Sequence, residues 1–584
     1  AQARGTEIAF PVYPPEIDVS GQEPRIGVFV CHCGSNIAGF LDVEAVTEYA
    51  RSLPGVVYAT HNLYSCSQDT QELIKQAIKE HNLNRVVVAS CTPRTHEPLF
   101  QDTIRQAGLN PFLFEMANIR DQCSWVHSHN WREATEKAKD LVRMSVARAA
   151  RLEPLHMIDV PVRKSALVIG GGVAGMTAAL SLARQGFPVH LVERESELGG
   201  NLRRIYYTLE GEDPRAFLEK LVAEVTSHPL ISVHLNTKVV EHSGFAGNFF
   251  AVLEGPNGRR FSIEHGVTIV ATGGRENKPT SYLYGQHPAV LTQQELEEKI
   301  AQGNAFPGPV VMVQCADDLA EKYCSGICCT QALKNALKLK ELRPDLPVYI
   351  LHRDIRVYGL RERYYTLARE KGVIFIRYDG AAKPEVEPSD GVLRVKVKDV
   401  EVGEEFELRA NPLVLSTGVV PSEGVEELGK ILKVPVTAEG FFWEAHIKLR
   451  PVDFASDGIF MAGVAHWPKH LDETIAQAKA AAGRAVTILA QDTLKVGGVV
   501  AVVSPEKCVA CLTCVRVCPY KAPRIEPTLI GAGGIKGAAY IEPAKCHGCG
   551  VCVAECPAKA IQLMHYRDDQ IEAKVEALFA EIAQ

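Results

Sequence analysis

The chain has 584 residues, 46% of them hydrophobic, enough to bury several cores and to make about three or four domains. Its net charge of −7 comes from 70 acidic and 63 basic residues with no long basic block, which excludes the electrostatic footprint of a nucleic-acid binder. No stretch reaches the roughly 18 uncharged apolar residues of a membrane span.

The opening segment, Ala1 to Gln22, is mixed and proline-bearing, with no positively charged start leading into an apolar run, and does not read as a signal peptide. An apolar strand, Arg25 to Cys31, then ends at a turn-like Cys31-His-Cys33-Gly34. Amphipathic helical patterns at about 42–52 and 70–81 alternate with a second strand, Arg85 to Ser90, and predict a small α/β unit. Cys31, Cys33, Cys66, Cys91 and Cys123 each fall at a strand end or in a loop, where α/β units present ligands. Five thiols for four iron corners leave one spare, and spacing does not choose it. Cys33, Cys66, Cys91 and Cys123 are the expected set, because Gly34 lets backbone amides approach cluster sulfurs. His32, His61, His96, His127 and His129 surround them in sequence. A helical stretch from Trp131 to Leu152 leads into Pro154 and Pro161 and reads as a connector.

The next region opens with the strand Ala166 to Ile169, followed by Gly170-Gly-Gly172-Val173-Ala174-Gly175 and a helix through Ala183. A strand from Val189 then ends in Glu193. Strand, glycines, helix, strand and terminal acid together predict a dinucleotide site. The glycines admit a pyrophosphate at the helix N-terminus, and Glu193 is expected to accept from ribose hydroxyls. Three later pieces resemble the flavin-binding segments of thioredoxin-reductase-type proteins: Glu197-Leu-Gly199-Gly200-Asn201 with Arg203, Ala271-Thr272-Gly273-Gly274, and Gly458 to Gly463 leading into a helix at 472–490. This resemblance implies non-covalent FAD, and adds Arg194, Val239, Lys469 and Thr474 to its expected surroundings.

Such flavoproteins carry a second glycine fingerprint for NAD(P)H. Here the corresponding strand, Pro309 to Gln314, runs into Cys315 and then Cys324-x3-Cys328-Cys329 without the glycines. Those four thiols are expected to ligate a [4Fe–4S] cluster where a nicotinamide would dock; a redox disulfide or inert buried thiols are the alternatives.

Near the C-terminus stand Cys508-x2-Cys511-x2-Cys514-x3-Cys518-Pro519 and Cys546-x2-Cys549-x2-Cys552-x3-Cys556-Pro557. This doubled spacing is that of bacterial two-cluster ferredoxins, in which each run lends three thiolates to one cubane and its fourth to the other. Cys556 is therefore expected to complete the set of Cys508, Cys511 and Cys514, and Cys518 that of Cys546, Cys549 and Cys552. Zinc or disulfides do not explain two four-thiol runs each ending in Pro. A terminal helix is predicted from Asp568 to Ala583. Iron-bound thiols call for a reducing compartment, so the expected location is the cytoplasm.

The expected architecture is α/β: an N-terminal cluster domain (1–130), a connecting helix and linker (131–162), a thioredoxin-reductase-like FAD domain with one cluster (163–495) and a two-cluster ferredoxin domain with a C-terminal helix (496–584). Taken with Val30-Cys-His-Cys-Gly-Ser-Asn-Ile37, Val88-Ala-Ser-Cys91-Thr-Pro-Arg94, the Glu115–Trp125 stretch and the Cys315–Cys329 set, the chain resembles the A-type flavoprotein of heterodisulfide reductase and its bacterial relatives from Arg25 to about His565. The resemblance implies a soluble complex in which FAD and several [4Fe–4S] clusters, four by the thiol sets of this chain, exchange electrons with partner subunits. Ferredoxin and a hydrogenase, formate dehydrogenase or other donor module are the implied partners, the chain itself pairing as a homodimer. It also implies that the flavin of many members bifurcates electron pairs. Two features depart from that pattern. Longer members insert a further ferredoxin, whereas here the chain runs from the strand 237–241 to Ala271 without cysteines. The family lysine after a Tyr-Gly pair is replaced, Tyr358-Gly359 being followed by Leu360 and Arg361. Lys469 matches another family position near the last flavin motif and is the expected flavin-tuning cation. No nucleophile–base–orienter set and no Cys-x2-Cys beside the flavin suggests disulfide reduction on this chain. The alternatives are a non-bifurcating wire of a quinone-linked or sulfur-oxidising complex, and a self-contained NAD(P)H-linked reductase.

Overall fold

The computed structural model describes residues 12–389 and 391–580; the start of the opening segment and the expected continuation of the terminal helix to Ala583 lie outside them. The chain divides into two compact units, one from residues 161–494 and one that joins the chain before residue 161 to the chain after residue 494.

In the second of these units, four parallel strands are ordered Val56–Asn62, Ile26–Cys31, Arg85–Ser90, Phe114–Asn118. The two central strands are apolar runs buried along their whole length, the pattern of a parallel sheet covered on both faces. The strand order reverses beside Ile26–Cys31, so the loops leaving the carboxyl ends part there and open a crevice. Helices Val43–Arg51 and Gln68–Glu80 fall on the two predicted amphipathic patterns. Helix Trp131–Ala149 buries Ala134, Ala138, Val142, Val146 and Ala149 in the same core, so the stretch that reads as a connector is a packed element.

The C-terminal part of this unit pairs Ala501–Val503 with Ile561–Leu563 and forms a hairpin of Pro523–Ile530 and Lys536–Ile541. It ends in helix Asp568–Phe579. Buried Glu115 joins these parts: its carboxylate pairs with the buried Arg148 guanidinium and, at 2.8 Å, with Lys574 Nζ. Arg148 also donates to the His565 carbonyl, and Gln570 Nε2 donates to Arg151 O at 3.0 Å. Removing one partner from a pair buried this deeply leaves an uncompensated charge and costs about 3–5 kcal/mol.

Residues 161–494 contain a duplication invisible in the sequence. The first half has a parallel sheet ordered Ile459–Met461, Val267–Val270, Ala166–Ile169, Val189–Val192, Ile231–His234, with a three-stranded antiparallel sheet of Lys238–Phe245, Asn248–Glu254 and Arg260–His265. The second half repeats this as Val290–Thr292, Leu413–Leu415, Val310–Val313, Val348–His352, Val373–Arg377, with Glu385–Ser389, Val392–Lys398 and Glu405–Ala410. Each half leads from a central strand through a turn into a helix, Val173–Ala183 in the first and Cys328–Leu342 in the second.

Candidate flavin cavity and thiol shells

The turn of the first half is shaped by its glycines. Gly170 has φ +112°, and a Cβ there would lie 2.3 Å from Ala271 O; a Cβ on Gly175 would lie 1.8 Å from Gly170 O. These two let strand, turn and helix close on one another. Gly172 is different: a Cβ there meets nothing within 4 Å, because the position faces a cavity of about 830 Å³. All the expected flavin-site residues except Gly175 and Gly463 line this cavity, including Lys469 and Thr474. Gly463 stands behind it, with φ +73°, its N–H donating to Gln477 Oε1 at 2.8 Å.

Glu193 Oε2 accepts from Gly171 N at 2.6 Å and Oε1 from Glu195 N at 2.9 Å. The carboxylate thus braces the glycine turn while keeping acceptor capacity on each oxygen. Asn201 Nδ2 donates to Gly274 O at 2.6 Å and Ser422 Oγ to Thr272 O at 2.7 Å, fixing the cavity's second wall. Thr272 Oγ1 is buried without a protein partner among the described residues. A helix N-terminus, a side-chain-free cradle and an orphan hydroxyl fit a dinucleotide with a pyrophosphate bridge.

Lys469 Nζ donates to Gly463 O at 2.8 Å and Trp467 O at 2.6 Å. Burial pulls its pKa down to about 8, against the opposing pull of Glu473. Leu360 points to solvent, and Arg361 pairs with Asp472 at 2.6 Å, so neither lines the cavity. A further buried cation went unmarked in the sequence. Lys334, on the Cys328–Leu342 helix, pairs with buried Glu297 Oε2 at 2.7 Å and donates to Tyr207 O at 3.1 Å, while Glu297 Oε1 accepts from Tyr206 N at 2.8 Å. It ties the helix carrying Cys328 and Cys329 to the loop that forms one wall of the flavin cavity. The only hint was a lysine amid the apolar residues Ala332, Leu333 and Ala336.

The C-terminal thiols surround two small apolar cavities. Cys508, Cys511, Cys514 and Cys556 line one; Cys518, Cys546, Cys549 and Cys552 line the other. Backbone amides already point at four of the sulfurs: Ala539 N to Cys508 and Ala560 N to Cys556, both at 3.3 Å, Ala501 N to Cys546 at 3.4 Å and Ala522 N to Cys518 at 3.5 Å. Left-handed backbone at Ala510 and Leu512, matched by Gly548 and Gly550, wraps each loop around its cavity. Burial drives the Cys552 thiol up to about 12, the cost of an anionic sulfur without iron; metal coordination reverses that cost. Among the described residues no three His, Cys, Asp or Glu side chains converge on a single metal ion.

In the second half, Gln314 takes the place of Gly170 and Cys315, with φ +53°, that of Gly171. Cys328 and Cys329 open the helix, where its partial positive charge favours an anionic ligand. Burial raises the Cys315, Cys328 and Cys329 thiols, and each is raised further by others of the set, including Cys324. Gly326 N donates to Cys324 Sγ at 3.3 Å.

The N-terminal crevice brings together Cys31, Cys33, Cys66 and Cys91. Cys33 N donates to Cys31 Sγ at 3.2 Å, and Ser65 N to the same sulfur at 3.3 Å. Burial lifts Cys91 to about 11, with Arg120 opposing and Cys33, Cys31 and Cys66 adding to the rise. Arg120 Nη1 donates to Cys33 Sγ at 3.7 Å. Cys123 does not join them. It is fully buried, its Sγ donates to Ala134 O at 3.0 Å, and among the described residues no other cysteine influences it. Of the expected four, the structure thus leaves Cys123 apart and places Cys31 beside Cys33, Cys66 and Cys91. The reason is the strand order: Cys31 and Cys91 end adjacent strands at the crevice, whereas the turn Arg120–Ser124 swings Cys123 under the long helix.

The family model for pyridine nucleotide-disulphide oxidoreductases matches residues 164–306, and that for 4Fe-4S dicluster domains matches residues 507–560. The chain is 39% identical to an A-type iron-sulfur component of the CoB–CoM heterodisulfide reductase of Methanopyrus kandleri, over 95% of this chain and 98% of that protein. It is 37% identical to the A component of the H2:CoB-CoM heterodisulfide,ferredoxin reductase of Methanothermobacter marburgensis, over 96% and 98%. Among solved structures, thioredoxin reductase of Lactococcus lactis is 20% identical over 56% of this chain and 98% of that one, with a TM-score of 0.40.

Proposed function

Since the chain belongs to the family of heterodisulfide reductase A-type iron-sulfur flavoproteins, we propose that it is the component in which one FAD exchanges electrons with four [4Fe–4S] clusters and, through them, with partner subunits. The observation that carries this reading is the sorting of sixteen thiols into four quartets on the chain that also builds the flavin cavity. The residues proposed to hold iron are Cys31, Cys33, Cys66 and Cys91; Cys315, Cys324, Cys328 and Cys329; and the two interleaved C-terminal quartets.

FAD supplies the exchange between two-electron and one-electron chemistry. The residues of this chain do the rest. The 170–175 turn and Glu193 hold the dinucleotide, and Lys469 places a cation beside it. Backbone amides hold negative charge on the cluster sulfurs and so tune potentials. A chain without a nicotinamide turn leaves substrate chemistry to its partners. The partners favoured by the relatives' names are a ferredoxin and the other subunits of a heterodisulfide reductase-like complex with a hydrogenase or formate dehydrogenase module; the cytoplasm and a homodimeric core remain part of the proposal. Among the described residues no helix is long and apolar enough to cross a membrane.

The test is anaerobic purification from the native host with FAD, iron and labile-sulfide analysis and identification of the chains that copurify. Copurifying subunits and a flavin reduced through the clusters are expected. Direct hydride transfer from NAD(P)H to the isolated chain overturns the proposal.

A further inference from the structure

The two halves of the ferredoxin segment share a cysteine pattern but not a surface. In the loop of the first run, Val509 and Leu512 are exposed; the corresponding positions in the second run are His547 and Gly550. The hairpin tip adds to the first side only. Ala532 N donates to Cys508 O at 2.9 Å, and a Cβ on Gly531 would lie 2.5 Å from that oxygen, so the tip rests on the first ligand's own peptide. The tip presents Ile530, 67% exposed, and Ile535, 43% exposed, on either side of an uncharged Gly-Ala-Gly-Gly turn. Cys511 is exposed at this same loop.

Cations border this apolar surface. Lys507 precedes Cys508, Lys536 follows Ile535, and the exposed Arg516 stands two residues after Cys514. Among the described residues none of the three forms an ion pair with a carboxylate. Glu506 is the one acid in residues 504–517, and residues 528–537 contain none. On the second run Cys549 is exposed as well, but His547 and Gly550 stand where the first has Val509 and Leu512, and no hairpin tip adds to its apolar surface.

We infer that the face formed by Val509, Leu512, Ile530 and Ile535, rimmed by Lys507, Arg516 and Lys536, is a docking surface for an acidic one-electron carrier protein. This rests on the proposed reading of the eight thiols as cluster ligands. A small apolar centre with a charged rim is what a fast, transient encounter needs: charge steers the approach, and a limited contact area lets the carrier leave. An uncovered apolar patch at an exposed ligand is otherwise a liability for a soluble protein. On docking, one electron passes between the cluster of Cys508, Cys511, Cys514 and Cys556 and the carrier's centre; one is oxidised as the other is reduced, and no bond or proton changes hands.

The test uses the full-length, cluster-loaded chain immobilised for interferometry, with a purified acidic two-cluster ferredoxin as the probe. Binding is expected to weaken about tenfold or more between 50 and 300 mM salt. Arg516→Glu, and separately the pair Ile530→Glu with Ile535→Glu, are each expected to weaken it about tenfold at unchanged iron content. Val551→Glu, an exposed site on the second run, should stay within about twofold. No binding of the probe, salt-independent binding, or equal weakening by Val551→Glu overturns the docking surface. Lack of iron in the unsubstituted chain instead overturns the underlying reading of the thiols.

Discussion

The two halves of the 161–494 unit use one fold for opposite purposes. In the first, a strand turns into a helix through Gly170–Gly175, and the absence of side chains makes room for a ligand against the helix N-terminus. In the second, the equivalent strand turns through Cys315, and the helix begins with Cys328 and Cys329. Under the proposed function, the same partial positive charge at a helix start serves a phosphate in one half and thiolates in the other. The comparison teaches that this architecture fixes where negative charge is received, while the turn residues decide what brings it.

The sharpest way to break the comparison is to remove each half's device separately. Cys328→Ala should abolish the iron of the second half while leaving FAD near one per chain, by metal analysis and flavin absorbance. Gly172→Leu should do the reverse: its Cβ meets no protein atom within 4 Å and the rest points into the cavity, so the chain is expected to fold with its iron while FAD occupancy falls at least about tenfold. If either substitution removes both cofactors, the halves are not independent receivers.

Next in size is the buried pair between the halves' elements. Lys334→Met leaves Glu297 buried without its cation and should cost about 3 kcal/mol, seen as a lowered denaturant midpoint. The double change Lys334→Met with Glu297→Leu should recover much of that loss, because it removes both charges.

The halves should also differ in acid sensitivity. In the first, His242 and His265 both bond Thr268 Oγ1, at 3.0 and 2.9 Å, and burial depresses the pKa of each, His242 to about 4. A histidine whose folded pKa lies below its unfolded value disfavours the folded state as it protonates. Stability is thus retained above pH 6.5 and falls between 6.5 and about 4, by about 2 kcal/mol at pH 5 for His242 alone. His242→Asn should flatten the decline in thermal midpoint over that window.

The smallest expected effect is electrostatic. With a pKa of about 8, Lys469 is mostly charged at pH 7 and mostly neutral at pH 9. Lys469→Met should lower the flavin midpoint potential at pH 7 and change it much less at pH 9, measured by spectroelectrochemistry.

Legibility followed locality. The glycine turn, Glu193 and the two ferredoxin runs were readable because each is a short segment whose spacing carries its own geometry. The proposed N-terminal quartet was not, since placing Cys31 rather than Cys123 beside the other thiols requires knowing that strand Ile26–Cys31 lies beside Arg85–Ser90 and that Arg120–Ser124 turns beneath the long helix. The helix Trp131–Ala149 was recognised as a helix but not as core, because small alanines carry its buried stripe. The duplication of the sheets left no repeat in the residues, since the second half carries Gln314-Cys315-Ala316 where the first has the telltale Gly170-Gly171-Gly172.

The most direct test of the central claim is the iron, labile-sulfide and FAD content of the anaerobically purified chain, compared with its Cys31→Ser and Cys123→Ser forms. The account predicts about sixteen iron and sixteen sulfide per FAD, about four fewer of each in Cys31→Ser, and no loss in Cys123→Ser. A colourless chain, or loss of iron from Cys123→Ser alone, would contradict it.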